Sequence, residues 1–137
     1  MSILGVDLRA SRKNPSSIAI LDSTSNLTEL ASFFEDSELI KLVDDKHPDL
    51  VAIGAPLNLP SGFCGLDQSC ECHFSEPNRK GRLLELELAK MGISCFYTNK
   101  GSIIRELIYR GIQLSKMLRD AGPVSYTHLT LPTILLV

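Results

Sequence analysis

The sequence predicts an α/β domain. Short apolar runs separated by turn residues fill residues 1–33, a helical period takes over at residue 36, and a continuous apolar run, "LVAIGAPL", lies between two helical stretches. A chain of 137 residues suits one compact domain, and no internal repeat suggests a second.

The elements follow in order. "ILGVDLR" alternates before turning polar, "SIAILD" is a second apolar run and "NLTELASFF" a third; Asn14-Pro15 and Ser23 to Asn26 supply the turns between them. This is the pattern of a three-stranded antiparallel meander. In "DSELIKLVDDKHPDL", Leu39, Ile40 and Val43 share one helical face, Asp36 or Ser37 can cap the start, and Pro48 marks the stop. "LVAIGAPL" reads as a strand buried on both faces, ended by Pro56 and Pro60. Residues 58–77 form a loop rich in Ser, Gly and Cys, and loops this long inside a compact domain are usually functional or disordered. "NRKGRLLELELAKMG" predicts a helix ending at Gly92, and "ISCFY" a short further strand. "SIIRELIYRGIQLSKMLRDAG" predicts the last helix, with Ser102 at its start and Gly122 at its end. Gly111 inside that helix costs about 1 kcal/mol relative to Ala, which close packing against a sheet would explain. Three antiparallel strands leading into a helix and a buried strand is the ribonuclease-H-like arrangement.

Composition narrows the function classes. No apolar run approaches the ~18 residues of a membrane span, and "MSILGVDLRAS" has no basic region followed by a long apolar stretch, so a cytoplasmic location with no membrane partner is the expectation. The formal net charge is −2, unevenly distributed: residues 1–60 carry 5 basic and 9 acidic side chains, and residues 100–123 carry 5 basic and 2 acidic. A basic helix holding Lys100, Arg105, Arg110, Lys116 and Arg119 could therefore meet an anionic partner such as nucleic acid. A solvated helix face would give the same charge pattern. In a reducing compartment the four cysteines, Cys64, Cys70, Cys72 and Cys95, are not expected to form disulfides.

"GVDLRASRKNPSSIAILD", "LVAIGAPLNLPSG" and "GRLLELELAKMGISCFYTNKGSIIRELIYRGIQLSKMLRDAG" together resemble an uncharacterised family, domain of unknown function 429, described as predicted nucleases of ribonuclease-H fold. The resemblance covers most of residues 3–122. It implies a metal-dependent hydrolase of nucleic acid, with Asp7 at the family's first-strand acid and Arg82 and Glu85 at the Arg and acid of the helix that follows the fourth core strand. Two departures stand out. The family's second acid lies in a "D-A-P-L" turn where this chain has Gly54-Ala55-Pro56-Leu57, and the family's Glu-bearing strand after the last helix has no counterpart here.

Hydrolysis of the kind the family implies uses divalent ions that clamp the attacking and leaving oxygens. Mg²⁺ needs several oxygen ligands in near-octahedral geometry, and neighbouring strand ends, ~4.8 Å apart, can bring carboxylates together. Asp7 alone would hold Mg²⁺ weakly. Each of these residues also has a structural reading: Asp7 as a solvated strand-end acid, and Arg82 and Glu85 as an exposed i, i+3 pair worth a few tenths of a kcal/mol. The expectation is therefore an inactive fragment of a nuclease-like protein, or a non-catalytic nucleic-acid or protein binding module of the same fold. Sugar-kinase-like and actin-like ATPases share this fold too, but Arg9-Ala10 replaces the glycine of their phosphate-contacting turn.

The loop "FCGLDQSCECHF" brings four soft-metal donors close in sequence, Cys64, Cys70, Cys72 and His73. Zinc takes four such ligands in a tetrahedron. The spacing is not a paired C-x-x-C, and the adjacency of Cys72 and His73 strains joint ligation, so the expectation is at most a loose zinc site, against reduced thiols in a mobile loop.

Residues 124–137, "VSYTHLTLPTILLV", carry no Asp, Glu, Lys or Arg. "SYTHLTL" has a strand-like alternation, yet "VSYTHLTLPT" looks like a translation of an adapter sequence used in transposon-based DNA library preparation. The expected organisation is thus a ribonuclease-H-like domain over 1–123, incomplete at its C-terminus, followed by a non-native tail over 124–137.

Overall fold

The computed structural model describes residues 1–122; Pro123 and the expected tail over 124–137 lie outside the described residues. The chain forms β1 (Ile3–Asp7), β2 (Ser16–Leu21), β3 (Leu27–Phe33), α1 (Asp36–Lys46), β4 (Leu50–Ile53), α2 (Leu83–Lys90) and α3 (Arg105–Ala121). The α/β class and the three-stranded meander are as expected.

The four strands make one mixed sheet in the order β3-β2-β1-β4. β1 pairs antiparallel with β2, from Ile3↔Leu21 to Asp7↔Ser17, and parallel with β4, from Ile3↔Leu50 to Val6↔Ile53. A parallel neighbour needs a crossover connection, and α1 lies within it. The β2–β3 turn is held by Asp22, whose carboxylate accepts from Thr24 N and Oγ1 and from Asn26 N. The Thr24 hydroxyl and the Asn26 amide hold this carboxyl below its ordinary value.

Side-chain alternation sends Leu4, Val6, Ile18, Ile20, Val51 and Ile53 into one core, where they meet Leu39 and Val43 of α1 and Leu107, Leu114 and Leu118 of α3. β4 differs from expectation. Its burial alternates, with Val51 and Ile53 buried and Leu50 and Ala52 only half-buried, so the apolar run is covered fully on one face and partly on the other.

Helix boundaries also shift. α1 starts with Glu35 as N-cap in a capping box with Glu38, which places Asp36 inside the helix rather than at its cap. His47 ends it in the left-handed region, just before Pro48. α3 begins at Arg105, three residues past Ser102, with no side-chain cap. Gly111 packs as the sequence suggested: a Cβ there would lie 2.8 Å from the Pro56 carbonyl oxygen and 3.1 Å from Ala55 Cβ. The segment after β4 therefore lies directly against α3.

The "ISCFY" run forms no strand. Ile93 N, at its start, bonds Leu88 O at the end of α2, and Thr98 N, just after it, bonds the Glu85 side chain. Among the described residues no helix is long and apolar enough to cross a membrane.

Candidate functional site

The ends of β1 and β4 lie side by side. The parallel register pairs Val6 with Ile53, and Gly54 N donates to Val6 O at 2.8 Å, so Gly54 is the next neighbour of Asp7. This is the juxtaposition at which a second acid would meet Asp7, and glycine provides no ligand. A Cβ at position 54 would lie 3.3 Å from Val6 O, tight against backbone. The Asp7 side chain is 69% exposed, with Arg9 Nη2 3.8 Å away. Among the described residues, Asp7 belongs to no group of three or more metal-ligating side chains. These residues do not fit a Mg²⁺ centre, which needs several convergent oxygens.

Arg82 and Glu85 occupy a different place. Arg82 is the N-cap of α2 and Glu85 its third residue, and the two form a reciprocal capping box. Contrary to the exposed pair expected from helix patterning, Glu85 is only 3% exposed. Its carboxylate accepts from Arg82 N at 2.9 Å, Arg82 Nε at 2.7 Å, Thr98 N at 2.8 Å and Thr98 Oγ1 at 2.5 Å. Four donors saturate a carboxylate. The geometry gives Glu85 a clamping role, tying the start of α2 to the segment that enters α3.

The cysteine loop does converge. The Sγ atoms of Cys64, Cys70 and Cys72 all lie within 4.8 Å of one another, and Cys64 and Cys72 are 3.5 Å apart. His73 stands outside this group, exposed, with Nδ1 3.1 Å from Glu71 O. Cys95 is elsewhere, beside Glu85 O. The loop is anchored rather than loose. Leu66 is fully buried, Tyr109 Oη accepts from Leu66 N at 2.7 Å and donates to Asp67 at 2.9 Å, Gln68 bonds Lys100 O, and Lys100 Nζ donates to Cys70 O. Desolvation opposes ionisation of Cys72, but hydrogen bonds from the Cys64 and Gly65 backbone and from the Cys64 thiol, with the Lys100 charge, outweigh it and bring the thiol down to about 7. The Cys64 thiol is pushed up by its bonds to Cys72 and Cys70. Nothing in the sequence singled out Tyr109, because an aromatic on an amphipathic helix normally reads as core.

The basic helix is largely consumed internally. Arg110 is buried against Asp36, Arg105 pairs with Asp67 and Glu106, and Lys100 is held by the cysteine loop. Lys116 and Arg119 are exposed. A cleft of about 470 Å³ borders the cysteines, lined by Phe63, Cys72, Phe74, Arg79 and Lys100 among others. A larger one, about 660 Å³, lies between α1 and α3, is walled mainly by Ile40, Val43, Met117 and Leu118, and reaches Gly122.

Comparison with protein-family models, curated proteins and solved structures found no match for this chain.

Proposed function

We propose that this chain is a ribonuclease-H-like domain related to the predicted nucleases of domain of unknown function 429, and that residues 1–122 do not hydrolyse phosphodiesters. The reading is supported by the strand order, three antiparallel strands with β4 added parallel to β1 after a helix, and by the motif resemblance. The observation that carries the inactivity is that Gly54, bonded to Val6 O, follows the last β1–β4 pair as Asp7 does: the strand-end position beside the only candidate acid on β1 holds no side chain. A lone exposed carboxylate neither assembles two ions nor positions a water between them.

The alternative is a non-catalytic binding module of the same fold. Exposed Lys116 on α3 favours an anionic partner, nucleic acid included, at low ionic strength. A panel of labelled DNA and RNA, single- and double-stranded, incubated with Mg²⁺ or Mn²⁺, tests both readings. No cleavage is expected, and any binding should weaken steeply with salt. Metal-dependent cleavage that Asp7→Ala abolishes would overturn the proposal.

A further inference from the structure

We propose that Cys64, Cys70 and Cys72 form a three-thiolate zinc site whose fourth ligand comes from outside the cluster. Zn²⁺ binds thiolate sulfur at ~2.3 Å in a tetrahedron, which sets sulfur–sulfur separations of about 3.8 Å. The three Sγ atoms already lie within 4.8 Å of one another, with one pair at 3.5 Å, so small side-chain rotations suffice. Burial does not explain the cluster, because Cys64 is exposed and the other two are half-exposed.

The scaffold is preformed. Tyr109, Gln68 and Lys100 tie the loop to α3 and the segment before it, so ordering the loop adds little cost to ion binding. Gly65 permits the approach, since a Cβ there would lie 3.0 Å from Cys70 Sγ. Charge also fits. Three thiolates and one Zn²⁺ leave one net negative charge, and the Lys100 ammonium sits against the Cys70 carbonyl to balance it. His73 is not needed as a ligand. Cys72 lines the cleft shared with His73, Glu76, Arg79 and Lys100, which leaves a bound ion reachable by water or a small anion.

The test uses the reduced full chain with a non-thiol reductant and Co²⁺ as a spectroscopic stand-in for Zn²⁺. One Co²⁺ per chain is expected, with a thiolate-to-metal charge-transfer band that one equivalent of Zn²⁺ removes. The band should fall by about a third or more in each of Cys64→Ser, Cys70→Ser and Cys72→Ser, and persist in Cys95→Ser and His73→Ala. Circular dichroism identical to the parent verifies that each variant folds. These loop substitutions touch no residue of the apolar core, and Cys→Ala at the same positions serves for any that misfolds. No uptake by the folded parent, or a band indifferent to Cys70→Ser, would overturn the proposal. A band lost in His73→Ala would overturn the three-thiolate assignment.

Discussion

Arg110 and Asp36, 74 positions apart, meet in a buried ion pair at 2.7 Å, with both side chains at most 5% exposed. Arg110 spends its remaining donors on Arg9 O at 2.7 Å, Phe34 O at 3.1 Å and Ser16 Oγ at 3.4 Å, while the second oxygen of Asp36 accepts from Arg12 at 2.7 Å. One guanidinium thus joins α3, the start of α1, the β1–β2 loop and the end of β3. Breaking a buried pair by removing one partner costs about 3–5 kcal/mol, a large part of the ~5–15 kcal/mol that holds a typical domain together. Arg110→Met should therefore lower the urea midpoint sharply or prevent folding, and Asp36→Leu/Arg110→Met should recover part of the loss. A single variant that unfolds at the parental midpoint would remove this network from any account of stability.

Glu85→Ala should act on stability. It strands the Thr98 amide and hydroxyl and the Arg82 guanidinium in a buried site, at a cost of about 3 kcal/mol. Glu85→Gln should cost less, because its amide oxygen still accepts. Thermal unfolding of the two variants checks the order. Equal melting temperatures for Glu85→Ala and the parent would show that the carboxylate is dispensable to the fold.

Gly111→Ala sets two effects against each other. Ala gains about 1 kcal/mol of helix propensity, but its Cβ would meet the Pro56 carbonyl at 2.8 Å, a backbone atom that cannot rotate away. Overpacking of this kind costs about 1–3 kcal/mol, so the net effect should be destabilising. A melting temperature above the parent's would contradict the close approach of α3 to the segment after β4.

The thiols should respond to pH differently. Thiolate, not thiol, is the nucleophile. With Cys72 brought down to about 7, its alkylation by iodoacetamide should be slow in acid and rise through a midpoint near pH 7. Cys64 and Cys95, both pushed above the ordinary thiol value, should lag behind it at neutral pH. Site-resolved mass spectrometry after timed labelling reads this order, and saturating Zn²⁺ should suppress labelling of the three clustered thiols while leaving Cys95 unchanged.

Local signals in the sequence sufficed for the α/β class, the meander, Pro48 as a helix stop and the role of Gly111. Each of these rests on periodicity or on the intrinsic geometry of Gly and Pro, which act over a few residues. The nearness of Asp7 and Gly54 was an implication of the family resemblance, whose two acids align with these positions, and the parallel pairing of β1 with β4 puts the two strand ends side by side. Arg110 could have been read correctly, since it falls between the buried positions Leu107, Gly111 and Leu114 of one helical face. Charge nevertheless suggested a solvent-facing side chain, because its partner is remote in sequence. Glu85 misled for the same reason: its burial depends on Thr98 arriving from another segment. For the cysteine loop, sequence proximity nominated four donors, and tertiary structure brings three of them together, Cys64, Cys70 and Cys72. Which donors in a cluster share a point in space depends on where Tyr109 and Lys100 of distant segments pin the loop, and a spacing along the chain carries no information about those anchors.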